Sequence, residues 1–226
     1  MTQNLQAVED DFDSVEQAIA AIAAGGFAVV VDDTDRENEG DLIIAAEKIT
    51  AAQMAFLVRY SSGVVCVALT GERLDQLQLP LMVSSNNESQ RTAFTVTVDY
   101  LHGTSTGISA ADRAATLRAL ADSRIPAGDF ARPGHIFPLR YAPGGVLARP
   151  GHTEAALDLS RLAGLAPAGV LCEIVNDDGS MARRPELLRF ARQHGLPIIT
   201  IADLIAYRER TEMAALTSAA PVGEPA

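Results

Sequence analysis

The chain has 226 residues, 48% hydrophobic and 21% charged, a length and balance that suit one globular domain with a sizeable core. Its 18 Lys and Arg stand against 29 Asp and Glu, and the resulting net charge of −11 repels nucleic acid and anionic membranes alike. Cys66 and Cys172 both lie inside apolar runs and the N-terminus is polar and acidic, so neither a disulfide framework nor an export signal is expected. No apolar run approaches the ~20 residues that cross a bilayer. The expectation is a cytoplasmic protein without nucleic-acid or membrane partners.

In chain order, residues 1–12 read as a flexible N-terminus. Ser14 with Gln17 forms a capping box for an Ala-rich helix that Gly25 and Gly26 stop. Phe27 to Val31 is a short apolar strand. Thr50 with Gln53 is a second capping box, opening a helix to about Tyr60. Gly63 to Leu69 reads as a buried strand, Glu72 to Leu79 as a helix ended by Pro80, and Ser84 to Arg91 as polar loop.

Thr92 to Tyr100 alternates β-branched residues as a strand should, and Ser109 with Asp112 caps the helix that follows. Ile125 to Pro150 is rich in Pro and Gly and reads mostly as loop, with Gly134–Leu139 and Gly145–Leu147 as short strands. Then come a helix from Glu154 to Leu162, a buried strand from Gly169 to Val175 and a helix from Pro185 to His194. A strand from Ile198 to Ile201 and a short helix from Asp203 to Arg208 complete a single domain over 13–210. Residues 211–226, rich in Ala, Ser, Pro and Gly, read as a disordered tail. The alternation points to the α/β (α+β) class, with helices packed on the faces of a mixed sheet.

Several segments could carry chemistry. Asp32 to Asp41 places six carboxylates and one Arg in ten residues, directly after an apolar strand. Such crowding needs solvent, Arg or a cation. The loop is not an EF-hand, because Ile44 stands where the bidentate Glu belongs, and its oxygen ligands favour Mg²⁺ or Mn²⁺. A solvated turn is the alternative for any such charge run.

Gly103 to Ser109 places small residues and hydroxyls before a helix, which suits either an anion or ordinary capping. Arg-Pro-Gly-His occurs twice, at 132–135 and 149–152, and reads as two Gly–His turns facing one pocket. In the second, Arg149 and Thr153 suit a phosphate, and His152 suits a metal or a proton. Glu173 lies inside an apolar strand, where burial would raise its pKa towards that of a general base; an edge position facing water is the alternative. Cys66 and Cys172 read as buried small hydrophobes.

Taken together, Asp33–Asp41, Gly103–Ser109, Arg132–His135, Arg149–Ala155 and Leu171–Glu173 resemble 3,4-dihydroxy-2-butanone 4-phosphate synthase of riboflavin biosynthesis, in the right order from about Asp13 to Arg208. The resemblance implies a three-layer α/β sandwich working as a homodimer. It implies conversion of D-ribulose 5-phosphate to 3,4-dihydroxy-2-butanone 4-phosphate and formate, with Mg²⁺ that Mn²⁺ can replace. It makes Glu37 and His152 the metal ligands. Arg36, Glu37, Asp41, Arg149, Pro150, Gly151, His152, Thr153 and Glu173 contact the sugar phosphate, and Thr106 helps hold the phosphate. His135, Glu173 and Asp41 become the catalytic residues, with Asp41 or Glu173 as base and His135 as proton carrier. Many relatives carry a fused GTP cyclohydrolase II domain with a cysteine zinc site. The length and cysteine count here fit the monofunctional form.

Two other classes stay in view. A different metal-dependent isomerase or aldolase of a pentose phosphate would release no formate. A nucleotide- or RNA-binding module would show a basic groove, which the charge disfavours.

Overall fold

The computed structural model describes residues 12–218. The expected flexible N-terminus lies almost wholly outside them. Among the described residues, seven helices carry the chain between strands: α1 (Val15–Ala23), α2 (Ala51–Tyr60), α3 (Gly71–Gln76), α4 (Ala110–Ala121), α5 (His152–Leu162), α6 (Arg184–His194) and α7 (Ile201–Ser218). The strands are β1 (Ala28–Val31), β2 (Gly40–Ala45), β3 (Cys66–Leu69), β4 (Val98–Tyr100), β5 (Phe130–Arg140), β6 (Ala168–Glu173) and β7 (Ile198–Thr200).

All seven form one mixed sheet in the order β4-β5-β3-β6-β2-β1-β7. β1 and β7 pair in parallel, as do β3 and β5, while β2 and β6 run antiparallel to their neighbours. Because side chains alternate across a strand, each central strand feeds two cores. Val29, Val31, Leu42, Ile44, Val67 and Val170 pack against apolar residues of α2, α4 and α6. Val30, Ile43, Ala68 and Leu171 pack against α1, α5 and α7. Burial on both faces explains why these strands read as unbroken apolar runs, and the result is the expected three-layer sandwich in a single domain.

Both capping boxes form, with Ser14 Oγ accepting from Gln17 N and Thr50 Oγ1 from Gln53 N. Elsewhere the elements differ from the sequence reading. Of Thr92 to Tyr100, only the last three residues join the sheet as β4; Phe94 and Thr95 make isolated bridges. The stretch 125–150, expected to be mostly loop, contains the longest strand, β5, despite Pro133 and Pro138. Phe137 N donates to Val65 O and Arg140 N to Ala93 O, so alternate residues serve opposite neighbours. The donor that Pro138 lacks would face the Thr92–Tyr100 side, where its carbonyl still accepts from Thr95 N at 2.9 Å, so the strand loses one bond of a short bridge rather than a full ladder.

Gly145–Leu147 is a 3₁₀ turn rather than a strand, since Gly144 and Gly145 take φ of +97° and +63°. α7 continues well past Arg208 to Ser218, over the first part of the expected tail, while residues 219–226 lie outside the described ones.

Gly169 sits where α5 crosses β6, and a Cβ there would stand 2.2 Å from the Ala156 carbonyl oxygen. Gly169→Ala is expected to cost about 1–3 kcal/mol by overpacking, read as a lowered Tm. An unchanged Tm would mean that these layers have slack.

Candidate active site

The sheet brings the scattered motifs to one end. The acidic loop leaves β1 and returns as β2, whose Asp41 lies directly opposite Glu173 in the antiparallel pairing with β6. β6 is a central strand, so Glu173 is not an edge residue. The N-terminus of α5 delivers His152 and Thr153, both buried. Arg36, Glu37, Glu39, Asp41, Arg149, His152, Thr153 and Glu173 line one cavity of about 230 Å³.

The loop is organised by Asp32. Its Oδ1 accepts from Glu39 N at 2.8 Å, and its Oδ2 accepts from Glu37 N at 2.9 Å and Arg36 Nη1 at 3.0 Å. Arg36 Nη1 also donates to Glu37 Oε2 at 2.6 Å. Glu37 Oε2 stands 3.3 Å from His152 Nδ1.

Asp32, Glu37 and His152 each offer a ligand atom, all within 4.8 Å of one another. Both Asp32 oxygens are already engaged by the loop, so Glu37 and His152 are the pair available to a cation. Glu37 Oε2 and His152 Nδ1, 3.3 Å apart, are close enough for both to hold one small divalent cation. His152 Nε2 and Asp41 Oδ1 are buried without a hydrogen-bond partner, an arrangement that is costly unless a further group meets them. The donor set of carboxylate, imidazole and open cavity fits a divalent cation that keeps some of its water.

Charge shapes the titrations. Burial, reinforced by Glu173, Glu37 and Glu39 and opposed by His152, pushes the Asp41 carboxyl up to about 8. Burial alone would lower the His152 pKa, but Asp41, Glu37 and Asp32 outweigh it and carry it up to about 9. The bond to His152, with the charge of Arg36, holds Glu37 below the usual carboxylate range. Burial lifts Glu39 above that range, helped by the charge on Glu37.

Glu173 Oε2 accepts from Ser62 Oγ at 2.6 Å. Cys66 lines the cavity, and burial beside Glu173 drives its thiol well above the ordinary range, so it stays protonated. Cys172 is buried too.

Two expectations fall elsewhere in the chain. Neither Thr106 nor His135 lines this cavity, so the two Gly–His turns do not share a pocket within one chain. His135 and Gly107, next to Thr106, meet instead at Asp99. His135 N donates to Asp99 Oδ1 at 2.9 Å, and His135 Nδ1 lies 2.6 Å from Asp99 Oδ2. Gly107 presses so close that a Cβ would stand 2.0 Å from Asp99 Oδ2.

The amides before α4 are also spoken for, because Asp112 Oδ2 accepts from Ser105 N, Ser105 Oγ and Gly107 N. By contrast α5 begins at Gly151 with no side-chain cap, leaving its first-turn amides for an anion beside Arg149 and Thr153. Pro150 faces a larger cavity of about 580 Å³ behind the loop, walled by apolar residues such as Phe12, Val31, Ile201 and Ile205. That cavity lacks the carboxylate–imidazole pair, and the chemistry belongs to the smaller one.

Sequence reasoning missed Asp99, Glu39, Glu154 and Ser62. Glu154 was legible in principle as a carboxylate in the apolar first turns of α5; Asp99 and Ser62 depend on strand pairing across the sheet.

The fold and site define an α/β enzyme with a divalent-cation pocket built for a small anionic substrate. Residues 16–207 match the family model of 3,4-dihydroxy-2-butanone 4-phosphate synthase, and the chain belongs to that family of lyases. It is 61% identical over 193 residues to the 3,4-dihydroxy-2-butanone 4-phosphate synthase of Agrobacterium fabrum, covering 85% of this chain and 91% of that one. It is 62% identical over 201 residues to the riboflavin biosynthesis protein RibBA of Salinispora arenicola, covering 89% of this chain but only 48% of the relative. A crystal structure of 3,4-dihydroxy-2-butanone 4-phosphate synthase in complex with two magnesium ions superposes with a TM-score of 0.87 at 51% identity, covering 89% of this chain and 99% of that one.

Proposed function

We propose that this chain converts D-ribulose 5-phosphate to L-3,4-dihydroxy-2-butanone 4-phosphate and formate in riboflavin biosynthesis, as a magnesium-dependent lyase in which manganese can substitute. The observation that carries this reading is the Glu37–His152 pair, 3.3 Å apart, in a cavity that also holds Asp41 and Glu173. When bound, the cation supplies Lewis-acid polarisation of neighbouring sugar oxygens.

Glu37 and His152 would hold the cation, with Arg36 fixing the orientation of Glu37 through their 2.6 Å bond. Arg149, Thr153 and the uncapped amides of α5 would bind the phosphate. Asp41 is the better base of the two candidates, since its pKa near 8 lies close to the working range, while Glu173, held by Ser62, would orient a sugar hydroxyl.

A homodimer supplies what one chain lacks. His135 is exposed, and Leu101 and Ile108, about half exposed, flank the Gly103–Gly107 segment. A second copy docked there would bring Thr106 and the His135–Asp99 pair to the cavity, with Asp99 fixing the ring that carries protons in later steps. No helix among the described residues is long and apolar enough to cross a membrane. The net charge of −11 disfavours nucleic acid and anionic membranes as partners, in keeping with a cytoplasmic enzyme.

Asp99→Asn is therefore expected to lower kcat by about 100-fold with little change in KM; normal turnover would remove His135 from the proton path. The reading as a whole is tested by incubation with ribulose 5-phosphate and Mg²⁺, with and without EDTA. Formate should accumulate only without the chelator. Consumption of substrate without formate would point to an isomerase or aldolase instead.

A further inference from the structure

Helix α5 buries two carboxylates one turn apart, Glu154 and Asp158, and both face the turn that precedes the phosphate-binding segment. Glu154 Oε2 accepts from Arg149 Nη1 at 2.7 Å, and its Oε1 accepts from Ala142 N at 3.2 Å. Asp158 Oδ1 accepts from Tyr141 Oη at 2.7 Å, while its Oδ2 accepts from Val146 N at 2.9 Å and from Arg208 Nη1 at 2.8 Å.

Arg208 comes from α7 at the far end of the chain, and the same Nη1 donates to Gly144 O at 2.8 Å. The cluster is tight. A Cβ on Gly145 would stand 2.3 Å from Asp158 Oδ2, 2.4 Å from Tyr141 Oη and 2.5 Å from Arg208 Nη1. Arg149 N donates to Gly145 O at 2.9 Å, so the backbone of Arg149 hangs from the clamped turn.

We propose that Arg208 is a positioning residue for the phosphate end of the substrate. Through Asp158 and Gly144 it fixes the turn at 144–149, and so the place from which Arg149 reaches into the cavity. It does not touch the cavity itself. An Arg suits this post because Nη1 serves Asp158 and Gly144 while Nε and Nη2 hold Glu212, a division that a lysine's single nitrogen cannot make. The assignment rests on the reading that Arg149 holds the phosphate.

The effect should appear chiefly in substrate affinity, because the phosphate group itself is unchanged by the reaction and is held alike before and during it. Arg208→Leu is expected to raise KM for ribulose 5-phosphate by about tenfold, the size of one charge-assisted hydrogen bond displaced. kcat and the Mn²⁺ dissociation constant should stay near those of the unaltered chain. Arg208→Lys keeps the charge beside Asp158, protects the fold, and should raise KM by about threefold.

A double-mutant cycle with Arg149→Met separates positioning from general destabilisation. In the Arg149→Met background, Arg208→Leu should add less than about twofold, because the group it positions is gone. A folded Arg208→Leu or Arg208→Lys chain with unchanged KM would overturn the proposal. So would full additivity in the cycle, or parallel losses in kcat and Mn²⁺ affinity. If Arg149→Met alone left KM unchanged, it is the phosphate assignment that would fail, independently of Arg208.

Discussion

His152→Asn, and separately Glu37→Gln, is expected to lower formate release from ribulose 5-phosphate by about 10³-fold at saturating Mg²⁺, equivalent to roughly 4 kcal/mol of lost transition-state stabilisation. The reason lies in the donor set. Asp32 is already engaged by Arg36 and by two backbone amides of its own loop, so taking over from either ligand would compete with the bonds that order the loop. Glu37→Gln also turns the charged acceptor for Arg36 Nη1 at 2.6 Å into a neutral amide oxygen, so the weaker ligand and the weaker loop bond act in the same direction. The two substitutions should not add, since either one empties the same site. A chain carrying either one with turnover within about threefold of normal would place the metal elsewhere.

The second large effect is on pH. In the metal-free chain the carboxylates around His152 raise its pKa to about 9, so near neutrality the imidazole holds a proton that a cation must displace. A raised pKa means that competition by protons is strong at low pH and fades as pH climbs to that value. Between pH 6 and pH 8 the apparent Mg²⁺ affinity should therefore tighten by about 100-fold, close to tenfold per pH unit. Glu37, held below the usual carboxylate range, adds no competing proton in that window, whereas Asp41, pushed up to about 8, sheds its own only at the top of it. Calorimetric titrations at three pH values in buffers of different ionisation enthalpy would measure both the slope and the proton released. A flat profile would mean that His152 is already neutral before the metal arrives.

Much of this was legible in the sequence because the signals are local. Capping pairs such as Ser14 with Gln17 act over one turn, and the strands buried on both faces appear as short apolar runs. The acidic loop announced itself by charge density. What could not be read was anything decided by register or by distant pairing. Asp41 and Glu173 become opposite neighbours only once β2 pairs with β6. Pro138 sits inside β5 and is tolerated because its carbonyl still accepts from Thr95 N, and the one bond its ring removes belongs to a short bridge. Gly145–Leu147 looked like a strand by composition, but positive φ at Gly144 and Gly145 bends the chain into a turn. The repeated Arg-Pro-Gly-His motif misled most. One copy lies within β5 and hands its histidine to Asp99, while the other opens α5 and hands its histidine to Glu37.

Whether Glu37 and His152 hold a divalent cation at the substrate cavity is decided by titrating Mn²⁺ into the chain and counting bound metal by electron paramagnetic resonance, beside Glu37→Gln and His152→Asn. The unaltered chain should bind Mn²⁺, Mg²⁺ should displace it, and each variant should weaken binding by about 100-fold. Unchanged Mn²⁺ binding in both variants would contradict the account.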